Sequence, residues 1–152
     1  MSPDTDAPAT ATPGSATVPC PFCATLNRVD LSRLEDRPKC GQCGRPILLD
    51  RPVPVSDATF DGVIAGASVP VVVDFYADWC GPCKVMAPVL DQLAAERRGS
   101  VLVTKLDTDK NQATAMRFGI RGIPTLVVFS GGKEVGREVG VVPRQRLDAL
   151  LR

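Results

Sequence analysis

The chain has 152 residues, of which 44% are hydrophobic, and this size suits one ordinary domain with a small appendage. Its 18 basic and 17 acidic residues nearly cancel, and residues 1–52 hold six of each sign, so we expect neither nucleic acid nor an anionic membrane as a partner. The chain has no histidine, which excludes imidazole as a general base and as a metal ligand.

The first segment, residues 1–17, is rich in Ala, Thr, Pro and Ser without periodicity and is predicted to be a disordered tail. It has neither the basic n-region nor the apolar h-region of an export signal, so we expect a cytoplasmic protein. In a reducing compartment, C-x-x-C pairs are more often metal sites or catalytic sites than structural disulfides.

Residues 18–50 carry two such pairs, Cys20/Cys23 and Cys40/Cys43, separated by 16 residues. This spacing is typical of a four-cysteine zinc site, in which all four sulfurs reach one tetrahedral ion about 2.3 Å away. The segment has few large apolar side chains, and zinc would supply the folding free energy that so small a core lacks. Two further redox disulfides, or a disordered segment that binds no metal, are the alternatives.

Residues 51–152 are predicted to form a second unit, entered through a proline-containing linker at residues 51–54. Runs of β-branched and apolar residues predict four strands, with a short edge strand at 53–55 before them; the four are 70–77, 101–106, Thr125–Ser130 and Lys133–Val139. The last two should form a hairpin through Gly131-Gly132. Because helical patterns alternate with these strands, we expect an α/β unit with a largely parallel central sheet and an antiparallel edge.

Four helices are predicted between and after these strands. Ser56 is expected to cap the first, which has one apolar face made of Phe60, Val63, Ile64 and Ala67. The second opens at the third cysteine pair and should direct one stripe inward, namely Val85, Met86, Val89, Leu90 and Leu93. A third is predicted over residues 111–118, and a fourth after Pro143 with Leu147, Leu150 and Leu151 facing inward.

The third pair, Cys80 and Cys83, lies where an apolar strand gives way to a helix. Unpaired N–H groups at a helix start carry roughly half a positive charge and stabilise a thiolate at Cys80. We therefore predict that Cys80 is an exposed nucleophile that attacks a substrate disulfide, and that Cys83 resolves the mixed disulfide. Gly81 lets the backbone approach and Pro82 presets a helical φ. Two inert thiols, or half of a metal site, are the alternative.

Asp74 is the one charged residue inside its apolar strand. Burial should raise its pKa, and with no histidine in the chain we predict that it accepts the proton of Cys83. The alternative is a carboxylate that faces solvent at a β-bulge.

Together, WCGPCK at 79–84, Asp74 in its strand, KLD at 105–107 and GIPT at 122–125 resemble the thioredoxin family in order and spacing. The resemblance covers roughly residues 53–152 and implies the thioredoxin fold and a protein-disulfide reductase that a flavin-dependent thioredoxin reductase recycles. It also implies that Lys105 lies near Asp74 and that the Ile123–Pro124 bond is cis. The substrate surface it implies is made of Trp79, Gly81, Pro82, Gly122, Ile123, Pro124 and Gly140.

Alternatives and one departure from the family pattern stand beside this resemblance. Lys105 could be a surface lysine and Trp79 a partly buried packing aromatic. Tyr76 stands where many family members have a second Trp. With the four-cysteine segment included, the chain resembles the zinc-containing bacterial thioredoxin 2 type, in which the zinc is either structural or sensitive to oxidation. The competing function is a zinc segment that binds a protein partner, with the thioredoxin fold as its scaffold.

Overall fold

A computed structural model of the chain describes residues 14–151. Most of the predicted disordered tail, residues 1–13, lies outside this range, whereas residues 15–17 belong to the first strand rather than to a tail. In chain order the elements are β1 (Ser15–Pro19), β2 (Leu26–Asp30), a 3-10 helix (Leu31–Asp36), β3 (Val53–Pro54), α1 (Phe60–Ala65), β4 (Val71–Tyr76), α2 (Gly81–Glu96), β5 (Leu102–Asp107), α3 (Gln112–Arg117), β6 (Thr125–Ser130), β7 (Lys133–Val139) and α4 (Arg144–Leu150).

The main sheet has the strand order β3-β5-β4-β6-β7. Strands β3, β5 and β4 run parallel, while β6 and β7 add an antiparallel edge, so the predicted α/β sheet and its terminal hairpin are confirmed. Strand β4 lies at the centre, and its side chains are buried on both faces because helices cover the sheet. This places the carboxyl end of β4, and the cysteine pair that follows it, in the middle of one edge.

Two details of the predicted helices are wrong. The Ser56 side chain does not cap α1: the Ser56 N–H donates to Thr59 Oγ1 at 2.9 Å, and the helix begins one turn later at Phe60. Val85 is 60% exposed, whereas Met86 and the inward-facing leucines of α2 are buried. Val85 therefore lies at the solvent edge of the predicted stripe. No helix within residues 14–151 is long and apolar enough to cross a membrane.

Strands β1 and β2 form an antiparallel hairpin that packs against helix α1. A Cβ on Gly66 would overlap the Thr17 side chain, and a Cβ on Gly62 would lie 2.9 Å from Leu26 Cδ1. Because these two glycines are four residues apart, they present one smooth patch of α1 to the hairpin. The Ser68 N–H also donates to the Ser15 carbonyl at 2.9 Å.

The cysteine-rich segment therefore does not rely on its own apolar residues alone. Its buried side chains belong to the same hydrophobic cluster as α1 and the main sheet; those it contributes include Ala16, Val18, Val29, Ile47 and Leu49. The cluster continues through Phe60, Phe75 and Phe129. The two units of the sequence thus share one core on this face of the sheet.

Candidate active site and metal site

Cys80 and Cys83 lie at the start of α2, after β4 has ended at Tyr76. Cys80 is the N-cap residue, and its Sγ accepts a hydrogen bond from the Cys83 N–H at 3.2 Å. Their Cα atoms are 5.3 Å apart and the two sulfurs form a disulfide. Cys80 is only 3% exposed in this form, unlike the exposed position that the sequence predicted, because Ala77 and Ile123 pack against the pair.

The loops around this disulfide come from distant parts of the chain. The Ile123 carbonyl oxygen lies 3.7 Å from Cys80 Sγ, and the Ile123–Pro124 bond is cis, which confirms that prediction. The Gly140 N–H donates to the Pro124 carbonyl at 2.8 Å, and Gly140 has a φ of 87°, a conformation that favours glycine. Gly122 lies beside Val139. The structure thus brings the predicted substrate-surface residues of these two loops together next to the cysteines.

Trp79 directly precedes Cys80 in the chain. It is 70% exposed, so it is not a partly buried packing residue, and its Nε1–H donates to Asp109 Oδ2 at 2.8 Å. The sequence-based prediction missed Asp109. Its N–H donates to Asp107 Oδ1 at 2.9 Å, a turn that aims it toward Trp79. The available signal was the D-x-D pattern directly after a buried strand.

Asp74 is buried, with 6% of its surface exposed, which excludes the solvent-facing alternative. Within residues 14–151, its Oδ1 is the only buried side-chain oxygen or nitrogen without a hydrogen-bond partner. Burial raises the pKa of Asp74 from 3.8 to about 7, and the positive charge of Lys105 opposes part of this rise. The structure therefore agrees with the prediction that Asp74 is buried and that burial raises its pKa.

Lys105 lies directly opposite Asp74, on the neighbouring parallel strand β5. Its Nζ is 5.8 Å from the centroid of the Tyr76 ring, within the range of a cation–π contact. Asp74, Tyr76, Cys83 and Lys105 line one cavity of about 170 Å³. The structure therefore brings the predicted proton acceptor, its neighbouring lysine and the second active-site cysteine to a common space.

The other four cysteines form a second cluster. Their Sγ atoms all lie within 4.8 Å of one another, and the Cys20–Cys43 and Cys23–Cys40 sulfur pairs are both 3.6 Å apart. Four sulfurs around a tetrahedral zinc ion would be about 3.8 Å apart for Zn–S bonds of about 2.3 Å. The donor set fits zinc in number, type and spacing. None of the four cysteines is in a disulfide, so the described chain contains no counterpart of the two-disulfide alternative.

The two C-x-x-C turns of this cluster repeat one geometry. In the first, the Phe22 N–H donates to Cys20 Sγ at 3.4 Å and the Ala24 N–H to the Cys20 carbonyl at 2.9 Å. In the second, the Gln42 N–H and the Gly44 N–H make the same bonds to Cys40 at the same distances. Such N–H donors, that of Cys43 foremost, lower the pKa of Cys40 from 9.0 to about 6, whereas burial and the neighbouring sulfurs raise the pKa of Cys43. At Cys40 these donors favour the thiolate, the form that binds metal.

A mixed sheet with a disulfide-forming C-x-x-C pair at the start of the helix that follows its central strand defines the class of this protein as a thiol–disulfide oxidoreductase. The family model described as Thioredoxin matches residues 51–152, and the one described as Thioredoxin 2, N-terminal, matches residues 19–45. The chain belongs to the thioredoxin family. The family, fold and class of enzyme predicted from sequence are thereby confirmed.

Individual relatives agree with these matches over the second unit. Thioredoxin of Haemophilus influenzae is 46% identical over 93 residues, which are 61% of this chain and 87% of that protein. Thioredoxin of Synechocystis sp. is 48% identical over 97 residues, covering 64% and 91%. The solved structure of a single-substitution mutant of thioredoxin from Halobacterium salinarum superposes with a TM-score of 0.63 at 40% identity, covering 69% of this chain and 91% of that one.

Proposed function

We propose that the chain is a protein-disulfide reductase in which Cys80 is the nucleophile and Cys83 the resolving thiol. The observation that carries this proposal is the cysteine pair itself: it lies at a helix start, next to the cis Ile123–Pro124 bond. Cys80 is the residue whose sulfur meets both the helix N-terminus and the Ile123 loop. A thiolate formed there is stabilised by the Cys83 N–H and by the dipole of the 16-residue helix α2.

Reduction then takes two exchange steps. The Cys80 thiolate attacks one sulfur of the substrate disulfide, that bond breaks, and the other substrate sulfur leaves as a thiolate that takes up a proton. Cys83, once deprotonated, attacks Cys80 Sγ in the mixed disulfide. The Cys80–Cys83 disulfide forms and the second substrate thiolate is released. Two electrons pass from the dithiol to the substrate, leaving the oxidised pair that the structure contains.

Asp74 is proposed to accept the proton that Cys83 loses in the second step. Its carboxyl group lines the same cavity as Cys83, its Oδ1 has no hydrogen-bond partner among residues 14–151, and its pKa of about 7 is close to physiological pH. A cavity of about 170 Å³ has room for water that could relay the proton. Lys105, beside the carboxylate, would stabilise its ionised form.

The substrate surface is proposed to include both loops beside the disulfide and the first turn of α2. It comprises Trp79, Gly81, Pro82, Gly122, Ile123, Pro124 and Gly140. Trp79 supplies an exposed apolar ring. The Ile123 carbonyl lies 3.7 Å from Cys80 Sγ, so an extended substrate backbone that binds alongside Ile123 lies next to the nucleophile. Oxidised proteins are the proposed substrates, and a flavin-dependent thioredoxin reductase in the cytoplasm is the proposed source of electrons.

Cys20, Cys23, Cys40 and Cys43 are proposed to hold one zinc ion. Bound there, zinc would cross-link the two C-x-x-C turns and contribute folding free energy to the small segment. The protein backbone would assist metal binding, because the Phe22 and Gln42 N–H groups donate to the Cys20 and Cys40 sulfurs and stabilise their thiolate forms.

The reductase proposal is tested by reduction of insulin disulfides with the zinc-loaded full chain. Cys80→Ser should reduce activity to background because no thiolate can start the exchange. Cys83→Ser should retain the first step only, and so accumulate mixed disulfides that mass spectrometry locates on Cys80. Full insulin reduction by Cys80→Ser, or adducts located on another cysteine, would contradict the proposed roles.

A further inference from the structure

A second apolar depression lies between the cysteine-rich segment and the edge of the main sheet. This ribbon groove has a volume of about 270 Å³. The lining residues that determine its apolar surface and its charge are Phe22, Leu48, Arg51, Pro52, Pro54 and Lys105. Its walls come from three places in the sequence: the first C-x-x-C turn, the chain that leads into and through β3, and Lys105 of β5. The turn between β1 and β2 supplies the wall that contains Phe22.

The groove presents large apolar side chains to solvent. Phe22 is 59% exposed and Leu48 is 43% exposed, although the segment that carries them has few large apolar residues to spare for its own core. The Arg45 guanidinium lies 4.5 Å from the centroid of the Phe22 ring and so holds it in a cation–π contact. An exposed apolar depression with a fixed aromatic wall is the kind of surface that binds a protein partner.

The charged residues that line the groove indicate what kind of partner it favours. Arg51 and Lys105 line the groove, and within the described part of the chain no carboxylate is among its lining residues. Asp50, which pairs with Arg51 at 2.8 Å, is not part of the lining. Pro52 and Pro54 have no backbone N–H, so an incoming chain could not extend the sheet at these positions. Recognition would therefore use side chains: apolar groups in the groove and carboxylates at its basic rim.

The position of the groove relates it to the active site. Lys105 lines both the groove and the cavity that contains Asp74 and Cys83. A polypeptide bound in the groove would therefore be separated from the cavity of Asp74 and Cys83 only by the Lys105 side chain. This continuity favours the protein being reduced, rather than an unrelated partner, as the occupant.

We propose that the ribbon groove docks an apolar segment, flanked by carboxylates, of the protein whose disulfide Cys80 reduces. The inference rests on the proposed reductase function and adds a substrate class to it. The docked segment would lie outside the reacting disulfide, so the groove would raise the effective concentration of such substrates at Cys80 without taking part in sulfur exchange.

Binding is measured first, by fluorescence anisotropy with the zinc-loaded full chain and a labelled, cysteine-free peptide that has a Leu-Phe pair between Asp and Glu residues. We expect it to bind at least about tenfold more tightly than the same peptide with Lys at the acidic positions. Leu48→Ser and Arg51→Ser should each weaken it several-fold. The matched control is Val135→Ser, which truncates an exposed valine (55%) on β7 and should leave binding unchanged. Zinc content shows whether each variant keeps its fold.

Reduction is measured second, with one disulfide peptide made with and without the Leu-Phe acidic extension. Wild type should have a higher kcat/KM for the extended peptide, and Leu48→Ser should remove that advantage while leaving kcat/KM for the short peptide unchanged.

Equal binding of the acidic and Lys peptides, or variants without effect, would overturn the docking proposal while leaving the reductase intact. Failure to reduce either peptide would overturn the reductase, and the anisotropy result would still decide whether the groove binds. A concentration-dependent dimer that Leu48→Ser dissociates, without peptide binding, would identify a second copy as the occupant and also overturn the proposal.

Discussion

The three C-x-x-C pairs have the same spacing but two different backbones. In the metal-site turns, the residue after the second cysteine has a positive φ, 65° at Ala24 and 77° at Gly44, and its N–H bonds back to the first cysteine's carbonyl. After Cys83 the chain continues as helix: the Lys84 N–H donates to the Cys80 carbonyl at 3.3 Å within the first turn of α2.

This difference decides which sulfurs meet. A left-handed residue after the pair turns the chain back, and each sulfur then approaches one from the other turn, at 3.6 Å for Cys23 and Cys40. A helix instead brings the two sulfurs of one pair together, as in the Cys80–Cys83 disulfide. The two outcomes thus go with two backbones, a left-handed residue after each metal-site pair and a helix after Cys83. Three sets of variants probe the difference between the two kinds of pair, from the largest expected effect to the smallest.

Exchanging one sulfur for oxygen in each kind of pair should separate the two functions. Cys40→Ser should lose nearly all zinc and destabilise the segment of residues 15–49 by at least about 3 kcal/mol, because structural zinc contributes about 10–16 kcal/mol in isolated zinc-finger peptides. It should keep most of its activity on a short disulfide peptide. Cys83→Ser should keep its zinc and lose turnover. Metal analysis and peptide reduction on the same samples check this.

The comparison fails if Cys40→Ser retains a full equivalent of zinc, or if Cys83→Ser loses it. Hydrogen exchange would add a position-resolved control, since Cys40→Ser should lose protection in β1 and β2 and keep it in β4 and β6.

Removing the buried carboxylate should change the stability of the fold and the chemistry of the active pair. The folded-state pKa of Asp74, about 7, lies above its ordinary value of 3.8, so between these values the folded chain holds a proton that the unfolded chain has released. Asp74 therefore costs no stability below about pH 4, and its cost grows as pH rises toward 7. Asp74→Asn should be more stable than wild type by roughly 4 kcal/mol at pH 8 and no more stable at pH 4. Urea denaturation of the disulfide form at both pH values measures this.

The same variant should slow the second exchange step by at least about tenfold at pH 7, because Cys83 loses its proton acceptor. Asp78→Asn is the matched control, since Asp78 lines the same cavity but is exposed. A stability gain in Asp74→Asn that is the same at pH 4 and pH 8 would show that burial of the charge is not its cause.

The smallest effect is expected at the residue that closes each metal-site turn. Ala24 holds a φ that is strained for any residue with a Cβ, whereas Gly44 holds it without strain. Ala24→Gly should therefore stabilise the zinc-loaded chain by about 1 kcal/mol, and Gly44→Ala, where an added Cβ meets no described atom within 4 Å, should destabilise it by a similar amount. Denaturation at saturating zinc gives both values. Changes of the same sign would mean that the two turns are not equivalent.

Much of the second unit could be predicted because local signals and tertiary structure agree there. Strands β6 and β7 have the predicted bounds, since Gly131 and Gly132, both with positive φ, separate two clear strand patterns. The apolar run around Asp74 likewise predicted a strand buried on both faces. For the active site, the resemblance supplied the cis bond at Pro124, which the residues alone do not indicate.

The missed features depend on contacts between distant residues. Ser15–Pro19 has little strand pattern of its own, and its order comes from pairing with β2 and from Ser68, 53 residues beyond Ser15. The inward stripe of α2 included Val85 because periodicity does not show where the covering sheet ends. Asp109 was missed because its role is a bond to Trp79, 30 residues earlier in the chain.

The glycines of α1 have a consequence for how the chain can be divided. Sequence places a boundary near residue 50, yet the hairpin packs directly against Gly62 of α1 and against Gly66, the residue that caps its end. A fragment beginning at residue 51 would carry a short, glycine-weakened helix and an uncovered apolar surface beneath it. Such a fragment would be prone to aggregation. The hairpin therefore covers an apolar surface that residues 51–152 would otherwise expose to solvent.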